Sequence, residues 1–164
     1  MGMWPFTRSS ASRDADDLLA AVQAASRQPP LYGPGRVPDT LVGRFELLTV
    51  FASLALLRLR NDPDTGALAQ NFTDKLFRLI DSGLREDGVG DLTVPKKMHK
   101  LAGDFYGRLT AYIGPLERAD RPALEAALVR NIGLEPAFAA DLAAIAVSVA
   151  VRQAAAPISQ LDQT

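Results

Sequence analysis

The amino-acid sequence predicts an all-α fold, a single-domain bundle of about six helices. Apolar residues recur at helical spacing in a series of segments, which are separated by Pro and Gly residues that interrupt helices. The alternation of apolar and polar residues that is typical of strands does not occur next to turn residues. The 164 residues are 48% hydrophobic and 23% charged, which is enough for one folded core without disulfides or metals.

We expect the helical domain to occupy residues 12–156, between a flexible tail at residues 1–11 and a loose tail at residues 157–164. The first residues lack the apolar segment of a secretory signal, so a cytoplasmic protein is expected. Trp4 and Phe6 could give the first tail a weak peripheral contact with the inner face of the cytoplasmic membrane. A disordered tail without membrane contact is the other interpretation.

The first helix is expected from about Asp14 to Arg27, with Ser12 or Asp14 as its N-cap. Pro29 and Pro30 end this helix. The segment that follows, PPLYGPGRVP, contains four prolines and two glycines. It is therefore expected to be extended and irregular.

The second helix is expected to begin after an N-cap at Asp39 or Thr40 and to end near Arg60. Its apolar residues lie almost all round the helix, which is typical of a helix at the centre of a bundle. The uncharged run from Leu47 to Leu57 is shorter than the roughly 20 apolar residues of a membrane span. We interpret this run as part of the core.

The third helix is expected from about Ala67 to Leu84, and Gly88 and Gly90 interrupt the chain after it. The fourth helix is expected to begin at an N-cap Thr93. It carries the longest apolar face of the sequence, because seven apolar residues follow one another in steps of three or four. They are Val94, Met98, Leu101, Phe105, Leu109, Tyr112 and Leu116.

The end of the chain predicts two further helices. Gly114-Pro115 is expected to kink or end the fourth helix. Asp120 is the expected N-cap of a short fifth helix that closes at a left-handed Gly133. The sixth helix, from Ala137 to about Ala155, has almost no charge, so we expect the other helices or a partner to cover it.

Residue types that carry catalysis and metal binding are scarce in the sequence. There is no cysteine, and the single histidine, His99, stands among Lys96, Lys97 and Lys100, whose charge disfavours an imidazolium intermediate. The carboxylates are scattered, and no glycine loop has a phosphate-binding pattern. The formal net charge of -1 gives no reason to expect nucleic acid. We therefore expect a protein-binding domain without cofactor, metal or enzymatic activity.

The segment from Leu84 to Tyr112 contains features that cost stability. Gly103 and Gly107 lie within the fourth helix, where each glycine costs about 1 kcal/mol relative to alanine. Their spacing places both on one face, which predicts close packing. The approaching backbone could belong to another helix of this chain or to an external peptide, and we favour the first.

Charged residues of the same segment admit two interpretations. Lys97, Lys100 and Arg108 share a face that adjoins the apolar one. This face is either a binding strip for acidic groups or lipid headgroups, or an ordinary solvated helix surface. If the helices pack together, Arg44 and Arg108 could pair with acidic residues near the turn between the third and fourth helices, namely Asp81, Glu86 or Asp91.

Three segments, in order, resemble the ubiquinol-cytochrome c chaperone family, which consists of assembly factors of the respiratory cytochrome bc1 complex. They are VPDTLVGRFEL at residues 37–47, LREDGVGDLTVPKKMHKLAGDFYGRLTAY at residues 84–112 and, more weakly, ALVRNI at residues 127–132. The central segment is the most specific, because its Gly-Asp turn, Val-Pro helix start and Phe-Tyr-Gly-Arg group occur together. The resemblance covers roughly residues 18–132.

The resemblance implies a helical chaperone without catalytic residues, which holds newly made cytochrome b and helps it into the growing complex. The lack of a long leader suggests a bacterial member. A helical adaptor or regulatory domain with an unrelated soluble partner is the alternative. The expected client-binding face consists of Arg44, Glu46, Asp81, Arg85, Asp91, Lys97, Lys100, Tyr106, Arg108 and Tyr112.

Overall fold

A computed structural model describes residues 8–156 of the chain. It contains six α-helices in this range, which confirms the predicted all-α bundle. They are α1 (Arg8–Ser26), α2 (Leu41–Arg60), α3 (Gly66–Glu86), α4 (Val94–Glu117), α5 (Arg121–Ile132) and α6 (Pro136–Ala155).

Helix α1 begins earlier than the sequence suggested, at Arg8 rather than Asp14. Ser12 and Asp14 therefore lie inside the helix, and their predicted role as N-cap is wrong. The reason is that Ala11 and Ala15 are buried, so the inward face of α1 extends beyond its larger apolar residues. The helix packs on α3 and α2. Trp4 and Phe6, the predicted membrane contacts, lie outside the described residues.

The connection between α1 and α2 is more regular than predicted. Pro29–Leu31 form a 3-10 turn, and Tyr32 pairs with Val37 through an isolated bridge. The Tyr32 hydroxyl donates a hydrogen bond of 2.7 Å to the carbonyl of Ser26 at the end of α1. Leu31 and Val37 are buried in the core, which explains why this proline-rich segment takes a fixed path.

The start of α2 is held tightly against this connection. The Thr40 side chain accepts a hydrogen bond of 3.1 Å from the Gly43 amide, so the predicted N-cap is confirmed for Thr40, whereas Asp39 pairs with Arg44. A Cβ atom at Gly43 would lie only 1.9 Å from the carbonyl oxygen of Pro38. Glycine at this position therefore lets the connection approach the helix backbone.

Helix α2 lies at the centre of the bundle and packs against α1, α3, α4 and α6. The run from Leu47 to Leu57 is almost entirely buried, which confirms its assignment to the core. Gln153 of α6 donates a side-chain hydrogen bond of 2.6 Å to the carbonyl of Leu54. Arg58 donates another, of 2.9 Å, to the carbonyl of Gln153, so the ends of α2 and α6 are joined.

Helix α4 begins after Thr93 as predicted, although the Thr93 side chain makes no capping hydrogen bond. Pro115 does not end the helix, which continues to Glu117. Of the predicted kink or end, the end falls two residues after Pro115, because Pro115 lies in the last turn, where the loss of one backbone hydrogen bond leaves little helix to disrupt.

The ends of α5 follow the sequence signals. Asp120 caps the helix by accepting a hydrogen bond of 3.1 Å from the amide of Ala123, and Gly133 closes it with a φ of 74°.

Helix α6 is covered by the other helices on one side, while Ile145 and Val151 are exposed. Among the described helices, it alone is long and apolar enough to cross a membrane, with 39% of that window buried. Core helices of soluble proteins meet the same criterion, so this is weak evidence for a membrane span.

Candidate functional site

The ten predicted client-binding residues divide between the surface and the interior of the bundle. Arg44, Lys97 and Lys100 line an open cleft. Glu46 and Tyr112 are buried where α2, α4 and α5 meet, and Arg108 is bonded to this group. The remaining four lie elsewhere on the surface, Asp81, Arg85 and Asp91 in a cluster at the turn between α3 and α4, and Tyr106 on α4.

The cleft lies at one end of the bundle, where the C-terminal ends of α1 and α3 meet the N-terminal halves of α2 and α4. Its volume is about 560 Å³, within the usual range for ligand sites. Gly83 forms part of the wall and presents no side chain to it. The apolar lining consists of Leu41, Val42, Phe45, Leu48, Leu79, Ile80, Leu84 and Leu101.

The mouth of the cleft carries charges of both signs. Arg44 bonds to Asp39 at 2.8 Å. Lys100 likewise bonds to Asp104 at 2.8 Å, so these two cations are partly neutralised. Within residues 8–156, Arg27 and Lys97 are exposed and make no ion pair, and the same holds for the anions Glu86 and Asp87 at the end of α3. The cleft therefore combines an apolar interior with charges open to a partner.

Arg108 and Glu46 form an ion pair between α4 and α2. The Arg108 Nε donates to the Glu46 Oε2 at 2.6 Å, and the two side chains are 18% and 6% exposed. The same guanidinium donates to the carbonyl of Asn131 in α5 at 3.4 Å and lies 3.8 Å from the Asp104 carboxylate. One side chain thus joins three helices, and we call this group, with Tyr112, the junction.

The electrostatics of the junction reflect its burial. Desolvation raises the pKa of Glu46, while the hydrogen bond and the charge of Arg108 act in the opposite direction. Burial also raises the pKa of Tyr112, and the nearby Glu46 carboxylate adds to this. The Tyr112 ring is fully buried, so a client cannot reach it while the helices stay packed. The client-binding role predicted for Glu46 and Tyr112 is not tested by this position and stays a prediction.

The predicted partners of the two arginines were wrong. Arg44 was expected to pair with Asp81, Glu86 or Asp91, but it pairs with Asp39, five residues before it in the chain.

Arg108 was expected to pair with the same three residues. Its partners are instead Glu46 and Asp104, because α4 packs on α2 so that Arg108 faces the buried carboxylate.

Asp81, Arg85 and Asp91 make a local surface cluster that fastens the turn between α3 and α4. Arg85 donates to Asp81 at 2.8 Å and also to Asp91. Exposed pairs of this kind contribute about 0–1 kcal/mol each. None of the three lines the cleft. Their client-binding role stays a prediction.

Tyr106 is 50% exposed and lies outside the cleft lining. Its ring centroid is 6.0 Å from that of Phe77 and 5.4 Å from that of Phe105. These contacts fix the ring while leaving its outer edge accessible. Tyr106 therefore remains a suitable interface residue.

The intramolecular close packing expected at Gly103 and Gly107 was wrong. Both are exposed, and apart from the adjacent residues and the neighbouring backbone of α4, no atom of the described chain lies within 4 Å of a Cβ added at either position. The reason is that the inward face of α4 is occupied by Phe105 and Tyr112, which turns the glycines toward solvent. The approach of an external peptide to this face stays a prediction.

Sequence reasoning missed the apolar part of the cleft, above all Val42 and Gly83. Val42 is 65% exposed. The sequence contains a signal for this exposure, because Val42 lies in the first turn of α2. An apolar residue at that position extends beyond the bundle core unless the preceding connection covers it. Among residues 8–156, no three His, Cys, Asp or Glu side chains come together as candidate metal ligands. The expected absence of metal and cofactor stays a prediction.

Comparisons with known proteins show the family to which the chain belongs. A family model described as ubiquinol-cytochrome C chaperone matches residues 35–164. The chain belongs to this family. Its structure is also similar to the crystal structure of the Cbp3 homolog from Brucella abortus, with 39% sequence identity and a TM-score of 0.81 over 94% of this chain and 88% of that chain. A comparison with curated proteins gives no significant match.

The family match confirms the resemblance drawn from the sequence. Residues 35–164 contain α2, α3 and α4, which supply most of the cleft, and also the complete junction. The end of α1, which closes one side of the cleft, precedes the matched region.

Proposed function

We propose that this protein binds newly made cytochrome b and assists assembly of the cytochrome bc1 complex, without catalysing a reaction. The observation that carries the proposal is the match of residues 35–164 to the ubiquinol-cytochrome C chaperone family. The open cleft supports it, because a chaperone for a membrane subunit must shield apolar side chains until they are placed. Such shielding needs no reacting groups.

The accessible part of the predicted face is the best candidate for contact with the client. Arg44, Lys97 and Lys100 line the cleft. Tyr106 offers an exposed aromatic edge elsewhere on α4. Arg108 also belongs to the predicted face, but its ion pair with Glu46 makes it a poor test of client contact. Substitution of Tyr106 alone is the better probe.

Affinity isolation from detergent-solubilised membranes tests the client. Tagged protein should retain cytochrome b, and loss of the gene should lower cytochrome b and bc1 activity. Re-expression of an Arg60→Ala variant, altered in an exposed ion pair outside the cleft and outside the predicted face, should restore both. Intact bc1 activity after deletion, together with altered amounts of unrelated proteins, would show an adaptor instead.

We further propose a cytoplasmic location with peripheral contact to the inner face of the membrane. Flotation with liposomes checks this point, using the full chain and a chain lacking residues 1–10. Weaker flotation of the shortened chain supports a contact through Trp4 and Phe6. Equal flotation excludes it.

A further inference from the structure

We infer that the cleft holds an apolar helical segment of the client, and that an acidic residue of this segment pairs with Lys97. The inference rests on the proposed function, since it gives the chemistry of the client segment. Its support comes from three properties of the cleft: its apolar lining, its dimensions and the distribution of unpaired charge at its mouth.

The apolar lining is accessible from outside. Val42 is 65% exposed, and Leu41, Leu79 and Leu101 are only partly buried. They surround the buried side chain of Phe45 at the base. Side chains of this kind gain free energy, about 25 cal/mol for each Å² of apolar surface, when a partner removes them from water.

The dimensions suit a helix better than a flat partner. The volume of about 560 Å³ accepts the few apolar side chains that a helix presents on one face at positions i, i+3, i+4 and i+7. Four helix ends form the walls, so backbone and side chains enclose the space from several directions. Gly83 widens the cleft by contributing no side chain, and a Cβ there would lie 3.6 Å from Leu41 Cδ1.

The charges at the mouth of the cleft indicate which charged residue the client segment carries. Arg44 and Lys100 are paired within the chain, so among residues 8–156 Arg27 and Lys97 are the cations at the mouth that are open to a partner. The open anions lie together at the end of α3. Complementary charges set the orientation of a partner more than its affinity. A segment with an acidic residue beside Lys97 therefore gains an ion pair that a wholly apolar segment lacks.

The test uses purified full-length protein and two fluorescent helical peptides of about 18 residues, or five turns. Both peptides have the same Leu and Ala face, and one carries Glu where the other carries Lys. The Glu peptide should bind the wild-type protein roughly two- to fivefold more tightly than the Lys peptide. A Lys97→Glu variant should reverse this preference. Fluorescence anisotropy gives both affinities.

A second variant tests the cleft itself. Gly83→Leu places a side chain in the cleft and should weaken binding of the Glu peptide more than roughly tenfold, which is 1.4 kcal/mol. Gly66→Leu is the matched control, because it makes the same change at an exposed glycine at the start of α3, outside the cleft. It should bind as the wild type does. Circular dichroism shows whether each variant is folded. If Gly83→Leu does not fold, the Lys97→Glu result decides.

Three outcomes would overturn the inference. They are unchanged binding by folded Gly83→Leu, an unchanged peptide preference in Lys97→Glu, and binding of anionic vesicles without binding of either peptide. These failures leave the isolation of cytochrome b intact, so they do not affect the proposed function. Conversely, peptide binding in the cleft without capture of cytochrome b would overturn the proposed function alone.

Discussion

The cleft and the junction share helices α2 and α4 but arrange their charges differently. On α2, Phe45 faces the cleft and the next residue, Glu46, faces the junction. In the junction, Glu46 is paired with Arg108 and shielded from water. In the cleft, apolar side chains are exposed and Lys97 has no ion-pair partner among residues 8–156. The difference indicates that the junction maintains the bundle while the cleft is available for binding.

The largest effect is expected from breaking the junction. Arg108→Met leaves the buried Glu46 carboxylate without its partner and should lower the free energy of unfolding by about 3 kcal/mol or more. Urea denaturation measures this. Arg85→Met is the control, because the exposed pairs of Arg85 should contribute at most about 1 kcal/mol each. Equal losses in the two variants would contradict a structural role for the junction.

The second-largest effect on the free energy of unfolding is expected at the start of α2. Gly43→Ala forces a Cβ to within 1.9 Å of the Pro38 carbonyl oxygen, so the connection must move. Overpacking of this kind costs about 1–3 kcal/mol, which thermal or urea unfolding measures. Gly107→Ala adds the same methyl group where no neighbour lies within 4 Å. If both substitutions have the same effect, the close approach at Gly43 does not matter for stability.

The pH dependence of the free energy of unfolding of Arg108→Met tests the role of Glu46 in the junction. Because burial raises the pKa of Glu46, the folded state binds a proton more readily than the unfolded state does. The contribution of Glu46 to the free energy of unfolding is therefore complete below its pKa in the unfolded state and is lost as the pH rises through its pKa in the folded state.

Removal of Arg108 eliminates a contribution that lowers this pKa. Arg108→Met should therefore regain part of its lost stability between about pH 7 and pH 5. Urea midpoints at the two pH values check this. The double variant Glu46→Gln/Arg108→Met lacks the titrating group, and an equal pH response in single and double variants would contradict the assignment.

The smallest effect is expected at the exposed glycines of α4. Gly103→Ala and Gly107→Ala should each raise the free energy of unfolding by up to about 1 kcal/mol, because alanine favours the helix and meets no neighbour. Thermal unfolding measures the gain. Unchanged capture of cytochrome b would confine client contact to other surfaces. A more stable variant that no longer captures it would place the client on the glycine face.

Local signals predicted the fold better than they predicted the site. The caps at Thr40 and Asp120 and the left-handed Gly133 depend on neighbouring residues, so the sequence reveals them. Periodicity along α4 also placed Tyr112 on the inward face, where the structure buries it.

The pairing of Arg108 with Glu46 depends on how α2 and α4 pack, because these residues are far apart in the chain. The same holds for the cleft. Its residues come from four helices, and the exposure of Val42 depends on where the connection between α1 and α2 runs. The sequence does not distinguish Gly43 from other helical glycines, because its close neighbour, Pro38, lies on that connection.

Site-specific photo-crosslinking in cells tests most directly that the cleft receives the client. A photoreactive residue would replace Val42 in the cleft or, as control, Val151 on α6, which is similarly exposed at 59% compared with 65%. We predict crosslinks to newly made cytochrome b from position 42 and none above background from position 151. Crosslinks from position 151 alone, or equal crosslinks from both positions, would contradict the account.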